Sequence, residues 1–287
     1  ATSPEGPFNK IRSFTKQDLS RADAPVVSIE GGKLFAGPDG IEMIVSTEKG
    51  TNYPDGLESF QKPGTGVWSI DRISAADVAG LNPATLTEAQ SSSEGSTLHI
   101  KDPVVFEAHT GGTALLFCSH PFSWASSNSG LAVRAAGGDS FELQTHCMIR
   151  RGPVWDVACT RVTDRLPVPR VGRFASQPPL SLYFYDGAEC LRSLDENPAA
   201  ARRPRGFSCE ELGGLAWGWD SEFPGIRRLS VDFPLFISPH GTGCSRYVST
   251  LATGGGIMAS WQQSQPDRSQ PLVGNIVSSE TVAGLLS

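Results

Sequence analysis

Four short apolar runs recur along the chain and decide its fold class. They are IEMIVST at 41–47, TALLFCSH at 113–120, LSLYFYDG at 180–187 and GIMASWQQ at 256–263, and their starts lie 72, 67 and 76 residues apart. A strand-like run with Pro or Gly precedes each of them, and a second apolar run, often opened by Gly, follows. Strands that pair with their sequence neighbours at one repeating period are typical of β-propeller blades.

The composition agrees with an all-β protein that has many turns. The 287 residues include 31 Gly and 21 Pro, which shorten secondary-structure elements, and 39% are hydrophobic, enough for a core. A net charge of −6, from 24 basic and 30 acidic residues, argues against a nucleic-acid partner. No apolar run reaches the roughly 20 residues of a membrane helix, so no membrane partner is expected. The first ten residues lack a signal-peptide core, which leaves a cytoplasmic protein or a secreted one with its signal removed.

A β-sandwich is the alternative fold, because it also strings short strands between turns. A sandwich does not require the same strand order to recur four times, so we predict a single β-propeller domain over residues 1–287. The opening ATSPEGPFNKIRSF at 1–14 is typical of an outer strand that closes the ring. Four repeats plus this strand predict five blades, and ring closure removes exposed sheet edges. The oligomeric state stays open.

The six cysteines are spaced too widely for a structural zinc site. Cys118 and Cys159 lie in apolar runs, which predicts buried thiols. Cys190 and Cys209 bracket a polar insertion and could form a disulfide in an oxidising compartment, but we favour thiols at these positions too.

The second repeat carries a family resemblance. KDPVVFEAHTGGTALLFCSH at 101–120, followed by SSNSGLAVR at 126–134, resembles the blades of propeller glycosidases. These are glycoside hydrolase family 43 and its relatives, among them families 32, 62, 117 and 130. DAPVVSIEG at 23–31 is a looser match to the first blade. The resemblance implies a propeller that hydrolyses a furanoside or short glycan, with carbohydrate as its partner.

The resemblance also implies three carboxylates on the innermost strands, around a central funnel. An oxocarbenium-like transition state needs a proton donor and a base or nucleophile, and a third carboxylate tunes the donor. Asp23 falls at the position of the base and Asp102 at the tuning position. The donor is usually a Glu in an E-G-P segment, but RRGPVWD at 150–156 has Arg151 there. Either Asp156 is the donor or the donor is missing.

Further residues are implied to contact the substrate or a metal. His240 matches a histidine on the funnel axis that sits beside a metal in some relatives, which implies a structural Ca²⁺ although the reaction requires no cofactor. His120 and Trp124, in the predicted loop HPFSW, are candidates for a sugar platform, and Arg151 and Arg246 for polar contacts.

Each candidate carboxylate has a structural alternative. Asp102 before a proline can cap a turn, and Asp23 can be a linker residue. Asp156 can pair with Arg151 or Arg161, because an unpaired buried carboxylate is costly.

Two other functions stay open. A polysaccharide lyase would use His, Tyr and Arg on a uronate, which the residues His120, His240, Arg246, Tyr247 and Arg151 could supply. A non-catalytic sugar-binding propeller would lack paired carboxylates. Two carboxylates about 5 to 9 Å apart favour the hydrolase.

The chemical prediction concerns Asp156. If GPVWDVACT at 152–160 is an innermost strand, Asp156 points away from the face that Trp155 and Val157 share. It then opens onto the same cavity as Asp102, with a raised pKa. On this hypothesis Asp156→Asn abolishes turnover with little loss of stability.

Overall fold

The computed structural model describes residues 3, 5–37, 40–191 and 211–287. The chain divides into two compact units, Ala1–Met148 and Ile149–Ser287, and each contains two antiparallel sheets. The prediction of one domain over residues 1–287 stays a prediction. Among the described residues, no helix is long and apolar enough to cross a membrane.

Unit 1 contains two four-stranded meanders. The first sheet has β1 (Val26–Gly37), β2 (Gly40–Lys49), β3 (Val67–Ala75) and β4 (Thr87–Gln90), and a short helix, α1 (Lys16–Leu19), precedes it. The second sheet has β5 (His99–Glu107), β6 (Thr113–His120), β7 (Asn128–Arg134) and β8 (Glu142–Ile149). Strand β5 packs against β1, β2 and β3, so the first strands of the two sheets are neighbours.

Unit 2 repeats this plan. Its first sheet has β9 (Cys159–Pro167), β10 (Leu180–Ala188), β11 (Leu212–Trp219) and β12 (Arg227–Arg228). Its second sheet has β13 (Ser245–Thr253), β14 (Gly256–Gln263) and β15 (Leu272–Ser278), followed by α2 (Ser279–Leu285). The first strands β9 and β13 are again neighbours. Short 3-10 helices lie in the loops at Glu58–Phe60, Pro83–Thr85, Gly95–Thr97, Gly172–Phe174 and Asp220–Glu222.

The prediction for the four repeats is confirmed. The runs that start at Ile41, Thr113, Leu180 and Gly256 form β2, β6, β10 and β14, which are the second strands of four consecutive sheets. None of them pairs with another in the described sheets. Each sheet is a separate blade-like meander, which excludes the sandwich.

The fifth blade is not found among the described residues. Residues 5–15 form no strand, so the predicted closing strand is absent there. Phe8 and Ile11, its two largest apolar side chains apart from Phe14, are exposed. They bury too little surface to offset the entropy of ordering an added strand.

Aromatic side chains on second strands pack over glycines near the start of the third strands, where any side chain would clash with the ring. A Cβ at Gly130 of β7 would lie 2.2 Å from the Phe117 ring, and one at Gly214 of β11 would lie 2.4 Å from the Tyr185 ring. Each glycine is the cross-strand partner of its aromatic residue. Phe117 belongs to the core between the two sheets of unit 1, with Ile44, Ile70, Ile100 and Leu115. Each such side chain contributes about 1.5–3 kcal/mol on burial.

The cysteine predictions are confirmed in one part and wrong in another. Cys118 and Cys159 are buried thiols outside any disulfide. Cys190, however, is disulfide-bonded, which corrects the expectation of a thiol. Cys209 lies outside the described residues.

Candidate functional site

Bulges on the first strands position the charged residues of each unit. Gly31 on β1, Asp102 on β5 and Tyr247 on β13 each lie at a break in the register with the second strand, with φ of 54°, 55° and 55°. A non-glycine residue in this left-handed region costs on the order of 1–3 kcal/mol, so its surroundings must hold it there. Bulges of this kind re-aim side chains beside active sites.

Asp102 is held at its bulge from two sides. Its backbone N–H donates to the Ser46 hydroxyl at 2.8 Å. Its carboxyl group packs against Gly31, where a Cβ would lie 2.9 Å from Oδ1. A side chain at position 31 would therefore displace the carboxyl group, so the Gly31 bulge and the placement of Asp102 depend on each other.

The positive charge of Lys101 lies between the acidic residues at the two bulges of unit 1, Glu30 and Asp102. Its ammonium group forms an ion pair with Glu30 and lies 4.6 Å from the centre of the Trp68 ring. Burial acts to lower the pKa of Lys101, but the negative charges of Asp102 and Glu30 outweigh it, and the pKa is raised. Lys101 therefore stays charged and shields one carboxylate from the other.

Unit 2 brings two carboxylates together around one guanidinium. One terminal nitrogen of Arg161 lies 2.7 Å from Asp186 Oδ2 and 2.7 Å from Glu211 Oε1. These two oxygens are therefore separated by no more than twice that distance. Arg246 contacts the other oxygen of Glu211 at 2.6 Å. In a retaining glycosidase both carboxyl groups of a pair about 5–5.5 Å apart act on the sugar, which the full burial of Asp186 prevents here.

Tyr247 forms the edge of this cluster. Its N–H lies 3.2 Å from both carboxylate oxygens of Asp186, and its ring lies 4.3 Å from the guanidinium of Arg161 and 5.1 Å from that of Arg246. Asp186 is fully buried, whereas 9% of Glu211 and 29% of the Arg246 side chain are exposed. Arg246 and Tyr247 are therefore the more accessible members of the cluster, whereas Glu211 is buried and Asp186 is completely so.

The environment drives the two carboxylate pKa values apart. Burial raises the pKa of Asp186 to about 7, even though Arg161 opposes the shift. Burial also acts on Glu211, but Arg161 and Arg246 outweigh it and lower the pKa to about 2. Glu211 is therefore ionised at neutral pH, while Asp186 titrates there. Such a split is how enzymes assign different roles to two neighbouring carboxyl groups.

We expect Asp186→Asn to flatten the pH dependence of stability. A carboxyl group whose pKa is raised on folding contributes stability below its unfolded value of 3.8, and that stability is lost as pH rises through about 7. Asparagine does not titrate, so the free energy of unfolding of the variant should fall less between pH 4 and pH 7. Urea denaturation across this range measures both slopes, and equal slopes would contradict the raised pKa.

Asp156 does not lie on an innermost strand, which corrects the prediction. The blade begins at Cys159, and residues 150–158 form the loop before it, where the Gly152 N–H donates to the Asp156 carbonyl. Trp155 is fully buried and Val157 is exposed, so these two side chains do not share a face. The apolar residues of this run resemble a strand, but the local hydrogen bond closes a turn.

Asp156 is enclosed by a buried polar network. Its Oδ2 lies 3.0 Å from Arg228 Nε and accepts from the Tyr185 hydroxyl at 3.2 Å. A Cβ at Gly152 would lie 1.7 Å from Oδ1, so the carboxyl group packs directly on this backbone. Burial raises the pKa of Asp156, and the charge of Arg228 opposes this. The ion-pair partner of Asp156 is therefore Arg228, rather than Arg151 or Arg161.

Comparisons with known proteins identify the architecture. No family model matches the chain, and no curated protein matches it. Among solved structures, it is similar to an RGII complex of BT0996, with 13% identity, 90% of this chain and 71% of the other protein covered, and a TM-score of 0.58. It is also similar to a β-1,2-mannobiose phosphorylase from Listeria innocua in complex with β-1,2-mannobiose. The identity is 11%, the match covers 92% of this chain and 76% of the phosphorylase, and the TM-score is 0.56. A thermostable family-43 glycoside hydrolase is similar with 11% identity, over 86% of this chain and 71% of the hydrolase, at a TM-score of 0.55.

The chain has a β-propeller fold. The solved neighbours that show this are propeller glycosidases and their relatives, as the resemblance of the second repeat implied. At such low identity the likeness is one of fold alone. The described residues form four blades of this propeller.

Three residues implied by the resemblance lie on the propeller surface. Asp23 is exposed in a turn closed by hydrogen bonds between Arg21 and Ala24. Arg151 is exposed and donates to the Val157 carbonyl at 3.0 Å. His240 is exposed in a turn, and no group of three metal-binding side chains occurs among the described residues. The structural Ca²⁺ that the resemblance implies stays a prediction.

His120 and Trp124 occupy a buried aromatic cluster of unit 1. His120 ends β6 and is buried, so the predicted loop begins only after it. The half-buried Trp124, at φ 55°, places its ring 4.2 Å from His99 in a stacked arrangement and 4.7 Å from His120. Burial lowers the pKa of His99 to about 4, so it is neutral at pH 7. His99 covers one face of the Trp124 ring, which leaves less of it for a sugar.

Proposed function

We propose that this propeller hydrolyses glycosidic bonds, with Glu211 as the carboxylate that reacts with the sugar. The observation that carries the proposal is that two arginines keep Glu211 ionised in a paired-carboxylate cluster, beside the partly exposed side chain of Arg246. The fold supports it, because a family-43 glycoside hydrolase and a phosphorylase bound to β-1,2-mannobiose share the architecture.

The other members of the cluster orient Glu211. An oxocarbenium-like transition state carries positive charge, which an ionised carboxylate beside it stabilises. Arg161 and Arg246 hold the two oxygens of Glu211 separately, so its carboxylate plane is fixed before substrate arrives. Asp186 is fully buried and acts as a positioning residue, because it anchors both Arg161 and the Tyr247 N–H.

The charge balance favours a neutral substrate, and we propose a furanoside or short glycan. Above the pKa of Asp186, about 7, both carboxylates are ionised and match the positive charges of Arg161 and Arg246, so neither arginine then needs a substrate anion. A panel of aryl-furanosides and short neutral glycans, assayed for released reducing ends, tests the proposal. Hydrolysis of one of them supports it, and binding without release would indicate a non-catalytic propeller.

A polysaccharide lyase is the second candidate, because Arg246 and Tyr247 lie side by side at the accessible edge of the cluster. A lyase would use a tyrosine to move the proton next to a uronate and an arginine to hold the uronate carboxylate. The same assay distinguishes it, since a uronate-containing polysaccharide would yield an unsaturated product that absorbs at 235 nm.

Asp102 keeps the tuning role that the resemblance implies, as a proposal for unit 1 by itself. We expect Asp102→Asn to slow turnover without abolishing it, because Asp102 is proposed to tune and not to react. Asparagine tolerates left-handed backbone as aspartate does, so the bulge should persist. The matched variant Asp23→Asn, in an exposed turn, should turn over like wild type. A loss of turnover in Asp23→Asn would instead favour the base role that the resemblance implies for Asp23.

A further inference from the structure

A cavity of about 300 Å³ lies in unit 1 at the turn ends of the β1–β2 and β5–β6 hairpins. Its nearest lining residue on β1, Phe35, is four residues beyond the Gly31 bulge, about 13 Å along the strand at 3.3 Å per residue, and neither Gly31, Lys101 nor Asp102 lines it. We propose that this cavity binds a monosaccharide-sized ligand that carries one carboxylate. The proposal does not depend on glycoside hydrolysis.

One guanidinium of the cavity floor is already fully engaged. Arg134 forms two parallel hydrogen bonds to Glu42, at 2.7 and 2.9 Å, and a third to the Thr113 hydroxyl at 3.2 Å. It also stacks over the Phe141 ring, 4.8 Å from its centre. Arg134 is 9% exposed, so this buried ion pair fixes the shape of the floor.

A second guanidinium, that of Arg72, is available to a ligand. Its side chain is 15% exposed, and the single ion pair that the structure describes for it is a long contact of 3.5 Å to Glu42. Glu42 makes its two short hydrogen bonds to Arg134 and only the long contact to Arg72. Two guanidiniums therefore share one carboxylate, and this group of three side chains keeps one positive charge. A partly buried guanidinium with unused donors is suited to a carboxylate, which it can hold through two parallel hydrogen bonds.

The other residues that line the cavity favour a ligand with hydroxyl groups and disfavour one with several negative charges. Ser74 supplies a hydroxyl beside Arg72, and glycine backbone at positions 111, 112, 137 and 138 brings peptide groups to the surface of the cavity. Glu107 and Asp139 lie at the exposed rim, where they can accept from ligand hydroxyls. The same two carboxylates repel any anion, but a doubly charged one such as phosphate about twice as strongly as a single carboxylate. The volume lies at the lower end for ligand pockets, which suits a single sugar ring.

Isothermal titration of the intact protein at pH 7 tests the proposal with three probes: glucuronate, glucose and acetate. We expect glucuronate to bind at least tenfold more tightly than glucose, which lacks the charge, or acetate, which lacks the hydroxyls. Arg72→Gln should weaken glucuronate binding at least tenfold. Arg170→Gln, which replaces an exposed arginine of unit 2, is the matched control and should bind like wild type.

A second variant leaves the ion pairs intact. Ala136 lies on the exposed wall of the cavity, so Ala136→Trp should fill the mouth and abolish binding without lowering the melting temperature. Absence of glucuronate binding to wild type, or equal binding by wild type, Arg72→Gln and Ala136→Trp, would overturn the proposal. Turnover assays on the same variants are expected to match wild type, so failure here is distinguishable from failure of the hydrolase proposal.

Discussion

We expect Glu211→Gln to lower kcat on a cleavable glycoside by about 10²–10⁴-fold, the usual cost of removing a catalytic carboxylate. Glutamine keeps the shape, but its single oxygen can accept from only one of Arg161 and Arg246, and it has no negative charge to stabilise the transition state or attack the sugar. Initial rates at saturating substrate, with circular dichroism as a check on folding, give the result.

A matched variant separates the chemistry from a general loss of charge. Glu222 is an exposed glutamate of the same unit, whose side chain makes a long ion pair of 3.9 Å to Arg227. Glu222→Gln should therefore retain wild-type turnover. Wild-type kcat in Glu211→Gln would remove Glu211 from the reaction.

The second large effect concerns stability. We expect Asp156→Ala to lower the free energy of unfolding by about 3 kcal/mol, the lower end of the cost of breaking a buried ion pair. The variant leaves the charge of Arg228 without its carboxylate, although 16% of that side chain stays exposed and its guanidinium still reaches the Arg150 carbonyl. Urea denaturation followed by tryptophan fluorescence measures the loss.

Two further variants test the origin of that loss. Arg228→Gln removes the other partner of the pair, and its cost should not add to that of Asp156→Ala in the double variant. Asp232→Ala, at an exposed aspartate of the same unit, should change stability by less than about 0.5 kcal/mol. If Asp156→Ala keeps wild-type stability but loses turnover, Asp156 is the proton donor that the resemblance implies, and its burial must be relieved on substrate binding.

The blades could be predicted from sequence because each one is formed by strands that follow one another along the chain. Each second strand, such as TALLFCSH at 113–120, is an apolar run bounded by turns, and its partners follow within a few residues. The position of Asp156 could not be predicted in the same way. An apolar run around Trp155 fits a buried strand and a buried loop equally well, and the turn at Gly152 decides between them.

The cluster around Arg161 was missed for a different reason. Arg161 and Asp186 are direct cross-strand partners of β9 and β10, and Glu211 lies immediately before β11. No sequence spacing links the three residues, because register is set by the pairing of whole strands. Asp186, at the end of the apolar run LSLYFYDG, was the available signal, since a carboxylate there needs a buried cation.

The most direct test of Glu211 as the reacting carboxylate is chemical rescue of Glu211→Ala by azide. Alanine removes the carboxylate and leaves space beside Arg161 and Arg246, which a small anion can enter. The account predicts that azide restores turnover of an activated aryl glycoside and that the product is a glycosyl azide. Wild-type turnover of Glu211→Ala without azide, or release of the same free sugar with and without azide, would contradict it.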